Sequence, residues 1–376
     1  MKCSMPYTNL EIRNDGSFGP CCINQYSYVK DNGEKFNIAR DSLEDVWNST
    51  DRIRYATQLD NENLAECHQC WYAESSNGIS KRIMENDQRF GKIKETPFSL
   101  DVKFTNACNL KCVICSPMNS SQWYSDFEFL YPGAFDNSAY KWISQIDIFE
   151  KLKNYLHTAE ILEFYGGEPL SLKYYNNILK YCVDSNISKT QKIRTNTNGT
   201  IRVTDELLEY YSKFDYVGLQ WSIDSLIQKE FEYQRFPAKF DVVMDNIENV
   251  LAKAPPSVNI GITYTVSALN IFSIHSMVDF VKKHNIWLHL NVLSGPDFLR
   301  FNTLPKKLIN DYLNSIDVTD VKFTTLTVDN LKNYDSVENY AKMNSQLKTY
   351  LTKLDSRRNT CYKDTFDVLG SILNDI

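Results

Sequence analysis

The chain has 376 residues, a net charge of −6, and 43% hydrophobic and 13% aromatic residues. That is long for one hydrophobic core, so a large domain with a smaller companion is expected. No apolar run approaches the roughly 20 residues that span a bilayer and the N-terminus has no signal-type apolar stretch, so a cytoplasmic protein with no membrane partner is expected. The acidic balance argues against a surface that grips nucleic acid widely. Ten cysteines in a reducing compartment are expected as ligands rather than disulfides.

In chain order, "YTNLEI" alternates, "RNDGS" carries turn chemistry, and Cys21 follows on the returning strand of a β-hairpin. "DSLEDVWNS" starts with an Asp or Ser cap and sets Leu43, Val46 and Trp47 on one face of a short helix. Residues 71–96 are polar and partly helical, a connection between domains. From residue 98 a strand–helix rhythm begins. The strands are "FSLDVKF", "ILEFYGG", "QKIRTNTN", "YVGLQWSI", "VNIGITYTV" and "WLHLNVL", with helical stretches such as "YYNNILKYCVDSN" and "FDVVMDNIENVLAKA" between them. Six alternations imply a parallel sheet curled into a partial (β/α)6 barrel, an α/β fold with ligands at the C-terminal strand ends. The expected division is 1–96, 97–305 and a helical C-terminal extension, 306–376, with no chemistry assigned to the extension.

Cys108, Cys112 and Cys115 lie within eight residues, just after the first strand of this rhythm. A disulfide uses two thiols, and a structural zinc site uses four ligands. Three thiolates can hold three corners of an iron–sulfur cube and leave one iron open. Cysteine is a common core residue, but three on one loop is an improbable accident of packing.

The Cys-x3-Cys-x2-Cys spacing resembles the radical S-adenosylmethionine (SAM) superfamily, in which three cysteines ligate a [4Fe–4S] cluster whose open iron chelates SAM. The family carries an aromatic residue before the third cysteine; here that residue is Ile114. "YGGEP", Tyr165, Gly166, Gly167, Glu168 and Pro169, is similar to the family's Gly-Gly-Glu turn, which implies contact with the methionine amino group. Asn198 in "TNGT", Ser222 and Asp224 in "SID", Arg235 in "EYQRF" and Val266 in "TVSALN" fall at or after successive strand ends. The resemblance implies that these contact SAM, with Arg235 on its carboxylate and Arg202 as the rival. Taken singly, each reads as a turn or a helix cap. The resemblance covers roughly residues 97–305.

Cys3, Gly16 and Cys21, followed by Cys67-x2-Cys70, resemble the hairpin pattern of SPASM and twitch domains, which hold auxiliary iron–sulfur clusters. There the module usually follows the core; here it precedes it. The implied auxiliary [4Fe–4S] ligands are Cys3, Cys21, Cys67 and Cys70, with Cys22 as the alternative to Cys21. Four thiols satisfy zinc equally well. Cys182 reads as core, Cys361 has no assigned role, and none of the five histidines has metal spacing.

The resemblance implies reductive cleavage of SAM to a 5′-deoxyadenosyl radical that abstracts hydrogen from a substrate carbon. The implied partners are an electron donor such as flavodoxin or ferredoxin and a substrate. A ribosomal peptide or protein, oxidatively modified, is the first expectation. A small molecule, sugar or nucleotide, is the alternative, and a non-enzymatic zinc or iron–sulfur module is the reading of a different class. No catalytic acid or base is assigned.

Overall fold

The computed structural model describes residues 2–324 and 326–374, without the side chains of residues 76 and 77. Nine strands form one sheet among these residues: β1 Asn9–Ile12, β2 Phe18–Gly19, β3 Ser99–Lys103, β4 Ile161–Tyr165, β5 Lys192–Thr197, β6 Tyr216–Ser222, β7 Val258–Val266, β8 Trp287–Val292 and β9 Lys322–Phe323. Their order is β2-β1-β3-β4-β5-β6-β7-β8-β9. Only the β1–β2 hairpin is antiparallel; every other pairing is parallel. The six strands read from the sequence are β3 to β8. Helices such as Ile148–Leu156, Lys173–Asp184, Phe240–Lys253 and Ile274–His284 connect them, because parallel neighbours need a crossover.

Residue alternation fixes the two faces of the curled sheet. Leu100, Val102, Leu162, Phe164, Leu219 and Trp221 are fully buried in the apolar core. The intervening residues are polar. Asp101, Glu163, Arg194, Gly218 and Asn259 share one row across β3 to β7, and Glu163, Arg194, Gly218 and Asn259 line a large central cavity.

Two features lay outside the sequence reading. First, β1 belongs to the barrel sheet. It pairs in parallel with β3, from Asn9 opposite Ser99 to Ile12 opposite Val102, so the N-terminal segment extends the barrel's own edge. Second, the C-terminal extension, expected as helices alone, also contributes β9, which pairs with β8. The short helix Leu43–Trp47 forms as expected, with a capping box between Ser42 and Asp45.

The connection at 71–96 contains helices His68–Asn77 and Lys81–Arg89, the first ending at Gly78 with φ +73°. The second helix closes the side of the barrel. Arg89 is fully buried, donates from Nε to Glu85 at 2.6 Å, bonds Ser99, and stands 3.6 Å from Glu163. Arg194 of β5 reaches Glu85 at 2.9 Å and Glu163 at 3.1 Å. Removing one partner of a buried ion network strands the others and costs about 3–5 kcal/mol. Arg89→Ala should therefore lower the unfolding free energy by that amount, read from the urea midpoint of the metal-free protein. A loss below about 1 kcal/mol would mean that this helix does not anchor the barrel.

Candidate active site

The three thiols sit on the loop that follows β3. Its backbone is pinned from below by the segment after helix Gln228–Gln234: Lys111 N donates to Phe236 O, and Val113 N to Gln234 O, both at 2.8 Å. That register puts Arg235 between the two bonds and under the loop. Its Nε pairs with Asp224 Oδ2 at 2.6 Å and its Nη1 lies 3.9 Å from Cys112 Sγ. Asp224 also accepts from Thr265 N at 3.2 Å. Cys108 Sγ receives Leu110 N at 3.5 Å and Asn198 Nδ2 at 3.7 Å. Burial pushes all three thiols up, Cys112 to about 11, so as thiolates they need a cation among them.

The "YGGEP" turn seals the other side of the loop. Gly167 has φ +56°, and a Cβ there would overlap the carbonyl oxygen of Ala107, so only glycine allows this approach. Glu168 N donates to that same oxygen at 3.0 Å. The Glu168 carboxylate is fully buried and accepts from Leu170 N at 3.2 Å, Thr197 Oγ1 at 2.9 Å and Asn198 N at 2.6 Å. Burial pushes it up to about 7 despite these bonds. Tyr165 lines the central cavity, and Pro169 is buried beside the turn. Val266 is a buried residue at the end of β7 and accepts from Leu293 N. Ser222 ends β6, half-buried, opposite Thr263. Arg202, the rival to Arg235, is exposed and donates to Asn249 at 2.9 Å, away from the thiols.

Cys3, Cys21, Cys67 and Cys70 line one small cavity together with Asn24, Lys81 and Arg82. Asn24 Nδ2 donates to Cys67 Sγ at 3.2 Å, and burial pushes Cys3 up to about 12. Cys22 faces the large central cavity instead. Cys182 is buried within its helix, and Cys361 is exposed. Among the described residues, no group of three or more His, Cys, Asp or Glu side chains is arranged as it stands to hold one metal ion. The thiols border space in two places. The donor set is right for iron–sulfur clusters, which cysteine thiolates hold, and N–H donors already face sulfur at both sites.

The central cavity, about 1140 Å³, lies in the barrel lumen, with Cys70 of the N-terminal set on its wall and Lys103 and Tyr165, at the ends of β3 and β4, at its border. Cys70, Ile23, Gln69 and Lys81 border both it and the smaller cavity. Its walls carry the polar row described above. Asp101, beside that row, is fully buried with neither carboxyl oxygen hydrogen-bonded, and burial pushes it up to about 8.

Sequence reasoning missed the outer support of the trio. Helix Tyr340–Arg358 lies over the loop, with Tyr350 Oη donating to Val113 O at 3.0 Å. Arg358 Nε donates to the buried Asp126 at 2.8 Å, and Lys111, between two of the thiols, reaches the same carboxylate at 2.9 Å. The Arg358 guanidinium stacks over Trp123, whose Nε1 donates to Cys112 O at 2.9 Å. The available signal was the stripe Leu347, Tyr350, Leu351, Leu354 and Arg358, one helix face at 3–4-residue spacing.

The sequence signature of the radical SAM superfamily matches residues 102–280, and that of the SPASM iron–sulfur cluster-binding domain matches residues 3–71. The chain belongs to the radical SAM superfamily of enzymes and carries a SPASM region ahead of its barrel. Curated relatives include the mycofactocin maturase MftC of Mycobacterium tuberculosis, 26% identical over 47% of this chain and 40% of that protein. Another is the GTP 3′,8-cyclase of Klebsiella pneumoniae, 24% identical over 57% of this chain and 62% of that protein. The matches thus span less than two thirds of these relatives' own length. Among solved structures, Streptococcus suis SuiB bound to S-adenosylmethionine aligns at TM-score 0.40 and 16% identity, covering 79% of this chain and 67% of that one. Native anSMEcpe with bound AdoMet aligns at TM-score 0.40 and 18% identity, covering 61% and 64%. No helix among the described residues is long and apolar enough to cross a membrane.

Asp126→Ala leaves Lys111 and Arg358 without their shared buried carboxylate, a loss of about 3–5 kcal/mol. Amide hydrogen exchange should rise in segments 106–123 and 340–358 and stay unchanged in β5 to β7. Equal rises everywhere would mean that Asp126 supports the whole fold and not this loop.

Proposed function

We propose that this enzyme cleaves SAM at the Cys108, Cys112 and Cys115 site and uses the product radical in an oxidative modification of a peptide or protein side chain held in the central cavity. The supporting observation is the convergence of three thiols, the "GGE" turn, Asn198 and Arg235 at the strand ends of the barrel, with Asn198 and Arg235 both facing thiol sulfur. When bound, SAM and its cluster supply a 5′-deoxyadenosyl radical that takes hydrogen from a substrate carbon.

The chain's own residues position and protect. Cys108, Cys112 and Cys115 would hold an iron–sulfur cluster, which would supply the electron for SAM cleavage. Carbonyl oxygens at the Gly166–Gly167 turn, and the acceptor capacity left on Glu168, suit the amino group of SAM. Arg235, oriented by Asp224, suits the carboxylate, since a charge-assisted bond to a planar guanidinium is both directional and strong. Asn198 and Ser222 lie further round the strand ends, where a nucleoside must extend. Tyr165, Lys103 and the polar wall below hold the substrate and exclude water, which orients one C–H bond and limits competing hydrogen donors.

The cavity volume favours a peptide. Small-molecule pockets are typically about 300–1,000 Å³, and this one exceeds that range. Cys3, Cys21, Cys67 and Cys70 would hold an auxiliary [4Fe–4S] cluster, which would supply an electron acceptor for an oxidation. Flavodoxin or ferredoxin is the proposed donor to the first site.

Replacing Cys108, Cys112 and Cys115 together with Ala should remove about four irons from anaerobically reconstituted protein and abolish 5′-deoxyadenosine formation. The same variant should keep one cluster; a single zinc in its place would reassign the N-terminal thiols. Arg235→Ala removes a contact of the kind worth about 1.5–3 kcal/mol and should weaken SAM binding roughly ten- to a hundredfold with the iron content intact. Unchanged SAM affinity would take Arg235 out of the site.

A further inference from the structure

We infer that the central cavity binds its substrate through a carboxylate, with Lys81 and Arg300 as the cationic partners. This rests on the reading of that cavity as the substrate site. The groups around it do not balance. Glu85 accepts from Arg89 Nε at 2.6 Å and from Arg194 Nη1 at 2.9 Å, so its charge is already claimed when Lys81 approaches it at 3.4 Å. Glu163 is shared by the same two arginines. Lys103 is taken by Glu11, which also pairs with Arg13. Asp101 makes no hydrogen bond to any of them, and with its carboxyl pushed up to about 8 it supplies little charge at neutral pH.

Lys81 therefore has only a long, shared claim on Glu85, which already serves two arginines. Arg300 is a second cation on the cavity wall. Its Nε is buried and has no hydrogen-bond partner among the described residues. Among the described residues its one ion pair, to Asp297, is long at 3.9 Å, and Asp297 is mostly in solvent, with 72% of its side-chain surface exposed. The two cations approach from different walls, Lys81 from the helix that closes the barrel and Arg300 from the segment after β8. A half-buried cation short of a partner keeps part of its desolvation cost, and an anionic group entering the cavity lowers it. Lys81 also borders the small cavity of Cys3, Cys21, Cys67 and Cys70, so a carboxylate bound there would lie beside that thiol set.

The test is equilibrium dialysis of labelled glutarate against the reconstituted full-length enzyme at fixed ionic strength, with inorganic phosphate as a second probe. Glutarate should bind saturably at one site. Lys81→Gln and Arg300→Gln should each weaken binding at least tenfold, about 1.4 kcal/mol. Lys81→Arg should hold it to within about threefold, and Arg202→Gln, outside the cavity, should leave it unchanged. Absence of saturable binding, or affinity unaltered in both glutamine variants, overturns the inference. Phosphate bound at this site with glutarate excluded overturns the carboxylate assignment. Formation of 5′-deoxyadenosine by the unsubstituted enzyme is followed in the same preparations. Its absence counts against the proposed function, whereas its presence without glutarate binding counts against this inference alone.

Discussion

The buried carboxylate of Glu168 ties three strand ends into one surface. Its own backbone N–H holds the loop after β3 through Ala107, its side chain holds Thr197 and Asn198 at the end of β5, and it stands itself at the end of β4. Everything at that face depends on this knot. A residue with a Cβ at Gly167 would push the β3 loop away and carry Cys108 with it. Without the carboxylate, the N–H of Asn198 would be left unpaired in a dry site, and Asn198 is also the residue whose amide faces Cys108 Sγ. A buried acceptor shared by three donors is rigid because loosening any one bond exposes a group that water cannot reach. A site that must hold a radical precursor against one C–H bond benefits from that rigidity, since small displacements are expensive in rate.

The second constraint is the polar interior of the barrel. A parallel sheet is usually covered on both faces by apolar side chains. Here one face packs conventionally against helices, while the other offers Asp101, Glu163, Arg194 and their neighbours. Such a face is stable only if its charges are paired. The helix Lys81–Arg89 does that pairing, delivering Arg89 and Glu85 into the row. The same helix thereby becomes a wall of the cavity. Closure of the barrel and construction of the central cavity are one event.

Much of this was legible in the sequence, for definite reasons. β3 to β8 announce themselves because strands of this kind alternate, as in "LDVKF" and "IRTNT", and because crossover helices carry their own period. The trio and "GGE" were legible because short-range spacing survives folding unchanged. What was hidden is long-range. Nothing local tells β1 to pair with β3 across nearly 90 residues of chain, and a polar residue in a strand looks the same whether it faces solvent or a lumen. The support of Asp126 by Arg358 spans 232 residues, and neither partner has a distinctive neighbourhood. The pairing of Arg235 with Asp224 was not legible, because both were read as facing the ligand rather than each other.

Placement of the auxiliary module before the barrel raises a topological question that the pairing of β1 resolves. A module joined only by a linker has its position set by a weak interface, and relative motion is then the default. Here the hairpin strand is hydrogen-bonded into the sheet beside the very strand that leads to Cys108, Cys112 and Cys115. Cys21 follows that hairpin by two residues, and Cys67 and Cys70 stand at the start of the helical pair that closes the lumen. Both thiol sets are thus referenced to the same β1–β3 ladder, one beyond the C-terminal end of β3 and the other beside the returning strand of the hairpin. The hairpin that precedes Cys21 is tied by backbone hydrogen bonds to the strand that leads to the trio. The order of the two modules along the chain matters less than which strand each one is built upon.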